Sequence, residues 1–123
     1  MKELLRDAFK MTTFQIHQAI SNGELVFSGI NADGSVYTDA DGNPVSTANY
    51  PGHWFGADGN VTVWGSADNA PIVYSELAHS ETSLELSIGH HPDNAKSGDT
   101  VTIKQIAELN GGKATFTITI TID

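Results

Sequence analysis

Tyr50-Pro51-Gly52-His53-Trp54-Phe55-Gly56-Ala57-Asp58-Gly59-Asn60-Val61-Thr62-Val63-Trp64-Gly65 holds both tryptophans of the chain. Two runs of aromatic and β-branched residues flank Ala57-Asp58-Gly59-Asn60, a segment suited to reversing an extended chain. The stretch therefore reads as a β-hairpin presenting large rings. Two registers are open, and a slip of one residue sends every side chain to the other face. If Asp58-Gly59 forms a two-residue type I′ turn, Trp54 lies opposite Val63 and faces the core with Val61 and Val63. His53, Phe55, Thr62 and Trp64 then share the other face. If Ala57-Asp58-Gly59 forms a type I turn closed by a glycine bulge, Trp54 lies opposite Thr62, and both indoles fall on the Thr62 face. Asp and Gly suit either turn; the bulged register is the working expectation.

Outward from this hairpin the pattern stays extended. Before it, Leu25 and Phe27 alternate with Val26 and Ser28, Asn31-Ala32-Asp33-Gly34 turns the chain into Val36-Tyr37, and residues 38–44 form a polar surface loop. After it come Ile72 to Ala78, then Ser83 to Gly89, where Leu84, Leu86 and Ile88 alternate with Glu85 and Ser87. The clearest strand is the last: Phe116, Ile118, Ile120 and Ile122 alternate with Thr115, Thr117, Thr119 and Thr121. Each large apolar side chain is worth about 1.5–3 kcal/mol if fully buried, which fixes the strand's face. It should pair with Val101 to Leu109 through the short turn Asn110-Gly111-Gly112.

Only residues 1–22 carry a helical period. Leu4, Leu5, Ala8 and Phe9 share one face, and Ile16, Ala19 and Ile20 share another. Thr12 with Gln15 fits a capping box, and Asn22-Gly23 supplies a left-handed stop. His17 falls opposite Ile16 and Ile20 and reads as a lone exposed histidine. The fold expected is mostly β: an antiparallel β-sandwich or flattened barrel of about seven to eight strands behind one or two short helices. Residues 1–123 form one domain in this reading, with 1–22 as helical lead-in and 23–123 as the sandwich.

The totals exclude several functions. With 15 acidic and 6 basic residues the formal charge is −9, which argues against nucleic acid and anionic membranes as partners. There is no cysteine, so neither a disulfide nor a thiolate metal site can form. No apolar run approaches the roughly 18 residues that would span a bilayer, and the start Met1-Lys2-Glu3-Leu4-Leu5-Arg6-Asp7 lacks the apolar centre of a signal peptide. The wealth of Thr, Ser, Asn and Gly is common in exported bacterial β-domains, so the expected home is extracytoplasmic, with the signal sequence absent from this chain.

Candidate sites divide by chemistry. Ala-Asp-Gly recurs at 32–34, 40–42 and 57–59, and Asp39 with Asp41 offers oxygen ligands to calcium, but none of the copies completes a helix-loop-helix site. Turn chemistry explains these residues, and no cofactor is expected. His90, His91, Asp93 and His79 are of metal-ligand type, yet adjacent histidines on a strand point apart, so no metal is expected. Glu76, Glu81 and Glu85 lie near one hairpin and supply the carboxylates a small glycan hydrolase would need. No nucleophile or phosphate-loop signature accompanies them, and the expectation is no enzyme.

The rings carry the leading functional reading. Tyr50, His53, Trp54, Phe55, Trp64 and Tyr74 include most of the large rings outside the obvious core positions. Flat rings can stack on the apolar faces of sugars while a carboxylate such as Glu76 accepts hydroxyl hydrogen bonds. The expected ligand-binding set is Trp54, Trp64, His53, Tyr50, Tyr74 and Glu76, and the partner is a polysaccharide or oligosaccharide. The competing reading is that both tryptophans fill the core, leaving a spacer or docking domain within a larger secreted protein.

Gly52-His53-Trp54-Phe55-Gly56-Ala57-Asp58-Gly59-Asn60-Val61 through Trp64-Gly65, then Tyr74-Ser75-Glu76 and Gly98-Asp99-Thr100-Val101-Thr102-Ile103, resemble a bacterial domain family of unknown function. It is the family numbered 4859, typical of secreted or surface proteins of gut Bacteroidetes. The likeness covers about Asn22 to the C-terminus, with the helical segment as its lead-in. It implies an accessory module in polysaccharide-utilisation proteins and an extracytoplasmic home, and it brings no ligand residues to carry over. A weaker likeness links Trp54 to Gly65 with the Trp-x-x-x-Asp-Gly repeats of choline- and glucan-binding wall proteins, but those act as arrays.

Overall fold

The computed structural model describes residues 1–43, 45 and 51–123. Among these residues two helices, α1 (Lys2–Phe9) and α2 (Thr13–Ser21), precede seven strands. The strands are β1 (Val26–Ile30), β2 (Gly52–Phe55), β3 (Val61–Thr62), β4 (Val73–His79), β5 (Leu84–His90), β6 (Thr100–Leu109) and β7 (Gly112–Thr121). They form one sheet of order β1-β6-β7 and a second of order β3-β2-β4-β5, every pairing antiparallel.

Local signals set the helix ends as expected. Thr12 Oγ1 accepts from Gln15 N at 3.2 Å while Gln15 Oε1 accepts from Thr12 N at 2.9 Å, a reciprocal box that starts α2. Gly23, at φ 74, closes it with its N–H on Ile20 O. α1 stops separately, at Lys10 in a left-handed conformation with φ 56. No helix among the described residues is long and apolar enough to cross a membrane.

The inner faces of the two sheets meet in two apolar clusters. Phe27, Leu77, Leu84, Ala107 and Leu109 gather at one end, which the helices close with Leu5, Phe9, Ile16, Ala19 and Ile20. Phe55, Val61, Val73, Val101 and Ile103 fill the other end. β6 and β7 pair through a two-residue turn, Asn110 at φ 50 and Gly111 at φ 83, the type I′ geometry that suits the strand twist. On β7 Phe116 is buried, whereas Ile118, Ile120 and Ile122 are only half-buried. β5 and β7 are both edge strands, and a cavity lined by residues 88–90 and 120–123 leaves the side between them partly open at that end.

Three expectations need correction. Val36 makes only an isolated bridge to Ile30, because the Asn31–Ser35 turn returns the chain to β1 without further ladder. β3 ends at Thr62, since the chain turns at once with Ser66 N on Val63 O at 3.1 Å. His17 is neither exposed nor alone: it is half-buried, its Nδ1 lying 2.7 Å from His79 Nδ1 where α2 meets the end of β4.

Candidate functional site

The reversal at 56–60 decides which side of the sheet each ring occupies. Gly59 N bonds Gly56 O and Gly56 N bonds Asn60 O, both at 3.0 Å, with Gly59 at φ 82. This is a type I turn closed by a glycine bulge, and it pairs Trp54 with Thr62 and Phe55 with Val61. Asp58 stiffens the turn by accepting from Asn60 N at 2.9 Å and Asn60 Nδ2 at 3.0 Å. A second turn is locked to the first: Asn60 Oδ1 accepts from Ala32 N at 2.9 Å, and Asn31 Oδ1 accepts from Val61 N at 3.0 Å.

With that register Trp54 and Tyr74, paired across β2 and β4, stand together on the outer face of the four-stranded sheet. Past Thr62 the chain bends back, Thr62 Oγ1 donating to Asn69 O, and Trp64 swings over Trp54. The indole centroids are 5.2 Å apart with planes at 61°. Tyr74 lies 5.1 Å from Trp54 at 45°. His91, at the end of β5, backs Trp64 at 4.4 Å and Trp54 at 5.9 Å. Its Nδ1 accepts from Asp93 N and Asn94 N, each at 3.1 Å, so its ring is held by the turn that follows. Trp64 is 60% exposed and Trp54 half-buried. The core reading of the two tryptophans therefore fails for Trp64.

Tyr74 is fixed as well. Its hydroxyl donates to Glu76 Oε1 at 3.2 Å, and burial together with the Glu76 charge pushes the phenol up to about 12. It leans over Gly52, where any side chain would collide with the hydroxyl. An apolar cavity of about 220 Å³ lies at the β3 edge, lined by Tyr37, Val45, Val63, Trp54 and Trp64 among others.

His53 also borders that cavity but stands apart from the outer ring cluster. It points inward and is 5% exposed. Gln105 Nε2 donates both to His53 Nδ1 at 2.9 Å and to Ser75 O at 3.1 Å, and Gln105 Oε1 accepts from Ser75 Oγ at 2.7 Å. His53 Nδ1 is thus an acceptor, and Nε2–H donates to Val45 O at 3.1 Å. Burial pushes the imidazole below its ordinary range, against the raising effect of nearby backbone carbonyls. Phe55 is fully buried in the core. Of the expected binding set, Trp54, Trp64, Tyr74 and Glu76 come together on one face, and Tyr50 lies outside the described residues. His91 enters the ring cluster unannounced, because its place depends on β5 returning beside β4.

The other candidates serve local structure. Asp33 Oδ1 accepts from Ser35 N and Oγ, which holds its carboxyl below the usual range, and Asp39 Oδ1 accepts from Asp41 N and Asn43 N. These carboxylates close their own turns. Among the described residues no group of three or more His, Asp or Glu gathers as a metal set would. Glu76 and Glu85 share the outer face as diagonal neighbours across β4 and β5, while Glu81 sits in the exposed turn between those strands.

These features define a small two-sheet β-domain with one exposed aromatic face, closed at one end by helices. The chain belongs to the family described as Domain of unknown function (DUF4859), whose model matches residues 2–115. The match takes in both helices and the strands as far as Thr115. No curated protein and no solved structure shows significant similarity to the chain.

Proposed function

We propose that this domain is a non-catalytic accessory module of an extracytoplasmic bacterial protein, and that it binds a polysaccharide or oligosaccharide on the outer face of the four-stranded sheet. The observation that carries the reading is the 60% exposure of Trp64, held over Trp54 and His91. An indole presented on a braced support offers a sugar a broad apolar face at little cost in ordering. Trp64 and Trp54 are the stacking rings, Tyr74 extends the surface, and Glu76 accepts from sugar hydroxyls. No cofactor enters, and the other partners are neighbouring domains of a larger secreted or surface protein.

Titration of the protein against a panel of soluble glycans, followed by tryptophan fluorescence with Trp64→Ala and Trp54→Ala beside the wild type, tests the reading. Binding that is lost in Trp64→Ala supports it. A panel without a binder, or binding indifferent to both changes, removes it.

A docking or spacer role is the second reading, favoured by the open side of the sandwich. There Ile88 is 42% exposed, and a cavity of about 340 Å³ runs between Ile88, Ala95, Ile120 and Ile122. The hydrolase reading finds less support, since neither Glu76 nor Glu85 lines the cavity beside the indoles.

A further inference from the structure

The outer face of the four-stranded sheet is built as a row that crosses the strands. Trp54 pairs with Thr62 on one side and Tyr74 on the other, and Tyr74 pairs with Gly89 on β5. Along that row the relief falls from the raised indole of Trp64 to bare backbone. A side chain added at Gly89 would meet nothing within 4 Å, because Tyr74 leans the other way, over Gly52. Gly89 therefore leaves a floor beside the tyrosine ring, in a strand where glycine is otherwise unfavourable.

Two properties of the row restrict what can lie on it. The first is shape. Trp54 meets Trp64 at 61° and Tyr74 at 45°, so the rings wrap a small patch and do not form a flat platform. Rings tilted in this way cannot all lie against a crystalline polysaccharide surface, which needs coplanar rings in line. The rings follow one another at centroid steps of only 5.2 Å and 5.1 Å, so the patch suits a short segment and not a long track. The second property is charge. No Lys or Arg occurs between Lys10 and Lys96, so strands β2 to β5 carry none, while Glu76 and Glu85 stand on the outer face. A polyanion approaching this face meets like charge and no cationic partner.

We infer that the ring-bearing face takes a short, uncharged, soluble glycan segment lying across the strands, from Trp64 over Trp54 and Tyr74 to the floor at Gly89. The inference rests on the carbohydrate-binding reading above and narrows it to a ligand class, an orientation and a specificity residue. Gly89 sets the far end of the track by having no side chain. Glu76, tied to the Tyr74 hydroxyl, presents its remaining acceptor capacity to sugar hydroxyls.

The test uses Gly89→Val, which fills the floor without removing a ring. The added side chain has open space and a strand-compatible backbone, so the fold should tolerate it. At pH 7.5, neutral gluco-, xylo- and manno-oligosaccharides of increasing length are titrated by calorimetry against wild type, Gly89→Val and Trp64→Ala. Polygalacturonate and insoluble cellulose and chitin are run in parallel. The inference expects a neutral oligosaccharide to bind, with affinity that stops rising once the chain covers the patch. It also expects at least about tenfold weaker binding in Gly89→Val at an unchanged unfolding midpoint, and no binding of the polyuronate or the crystalline solids. Preference for polygalacturonate or a crystalline solid would overturn it, and so would a Gly89→Val protein that binds as wild type while Trp64→Ala does not. Either result leaves the broader carbohydrate reading standing. A wild-type protein that binds none of these glycans overturns both.

Discussion

His53 and Trp54 are neighbours in the chain, yet they belong to two different parts of the molecule. His53 is sealed between the sheets, its ring nitrogens paired with Gln105 and Val45. Trp54 looks outward with Trp64 and Tyr74, where ring contacts and one hydroxyl–carboxylate bond are the chief interactions. Around His53 the inner face leaves no buried side-chain nitrogen or oxygen without a partner among the described residues; the outer face keeps a large apolar surface uncovered, a state that water opposes and a ligand would relieve. Substitutions inside should act on stability, and substitutions outside on binding.

The comparison breaks most sharply at Phe55, which is fully buried. Phe55→Ala should lower stability by about 3–5 kcal/mol, read from the urea midpoint. Gln105→Leu strips His53 Nδ1 and Ser75 Oγ of their partner and should cost about 1–3 kcal/mol. Gly59→Ala places a side chain at φ 82 with its Cβ 3.0 Å from Thr102 O, and a loss of about 1 kcal/mol or more should follow. A smaller loss there would mean that the bulged turn relaxes easily.

Acidity sharpens the contrast further. The folded pKa of His53 lies below its unfolded value of about 6.5, so the unfolded chain takes up the proton first. The stability linked to this group is complete above about pH 6.5 and is lost as the pH falls through the folded value. Urea midpoints measured between pH 7.5 and 5.5 should decline more in wild type than in His53→Gln, and equal declines would mean the imidazole is not held neutral. The smallest stability effect belongs to Trp64→Ala, about 1 kcal/mol or less, because only ring contacts are removed from an exposed side chain.

Much of this division could be read from the sequence, within limits set by register. The Thr and Ile alternation of β7 and the capping box at Thr12 are local and appear as expected, and the hairpin expected through Asn110-Gly111-Gly112 forms with Gly112 already in β7. Asp58-Gly59 was compatible with two turns that place Trp54 on opposite faces, and the bulged one is found, braced by Asn31 and Asn60. In that register strand alternation turns His53 inward, off the face that carries Trp54, and leaves it only a border of the cavity at the β3 edge. Gln105, its partner, is 52 positions away. Nothing near His53 in sequence signals that contact, and the same holds for His91 beneath Trp64 and for His17 against His79.

Trp64→Ala examined at once for urea unfolding and for glycan titration puts the division between the two faces to the most direct test. The account predicts an unfolding midpoint close to that of wild type together with abolished binding. A midpoint lowered as far as in Phe55→Ala, with glycan binding intact, would contradict it.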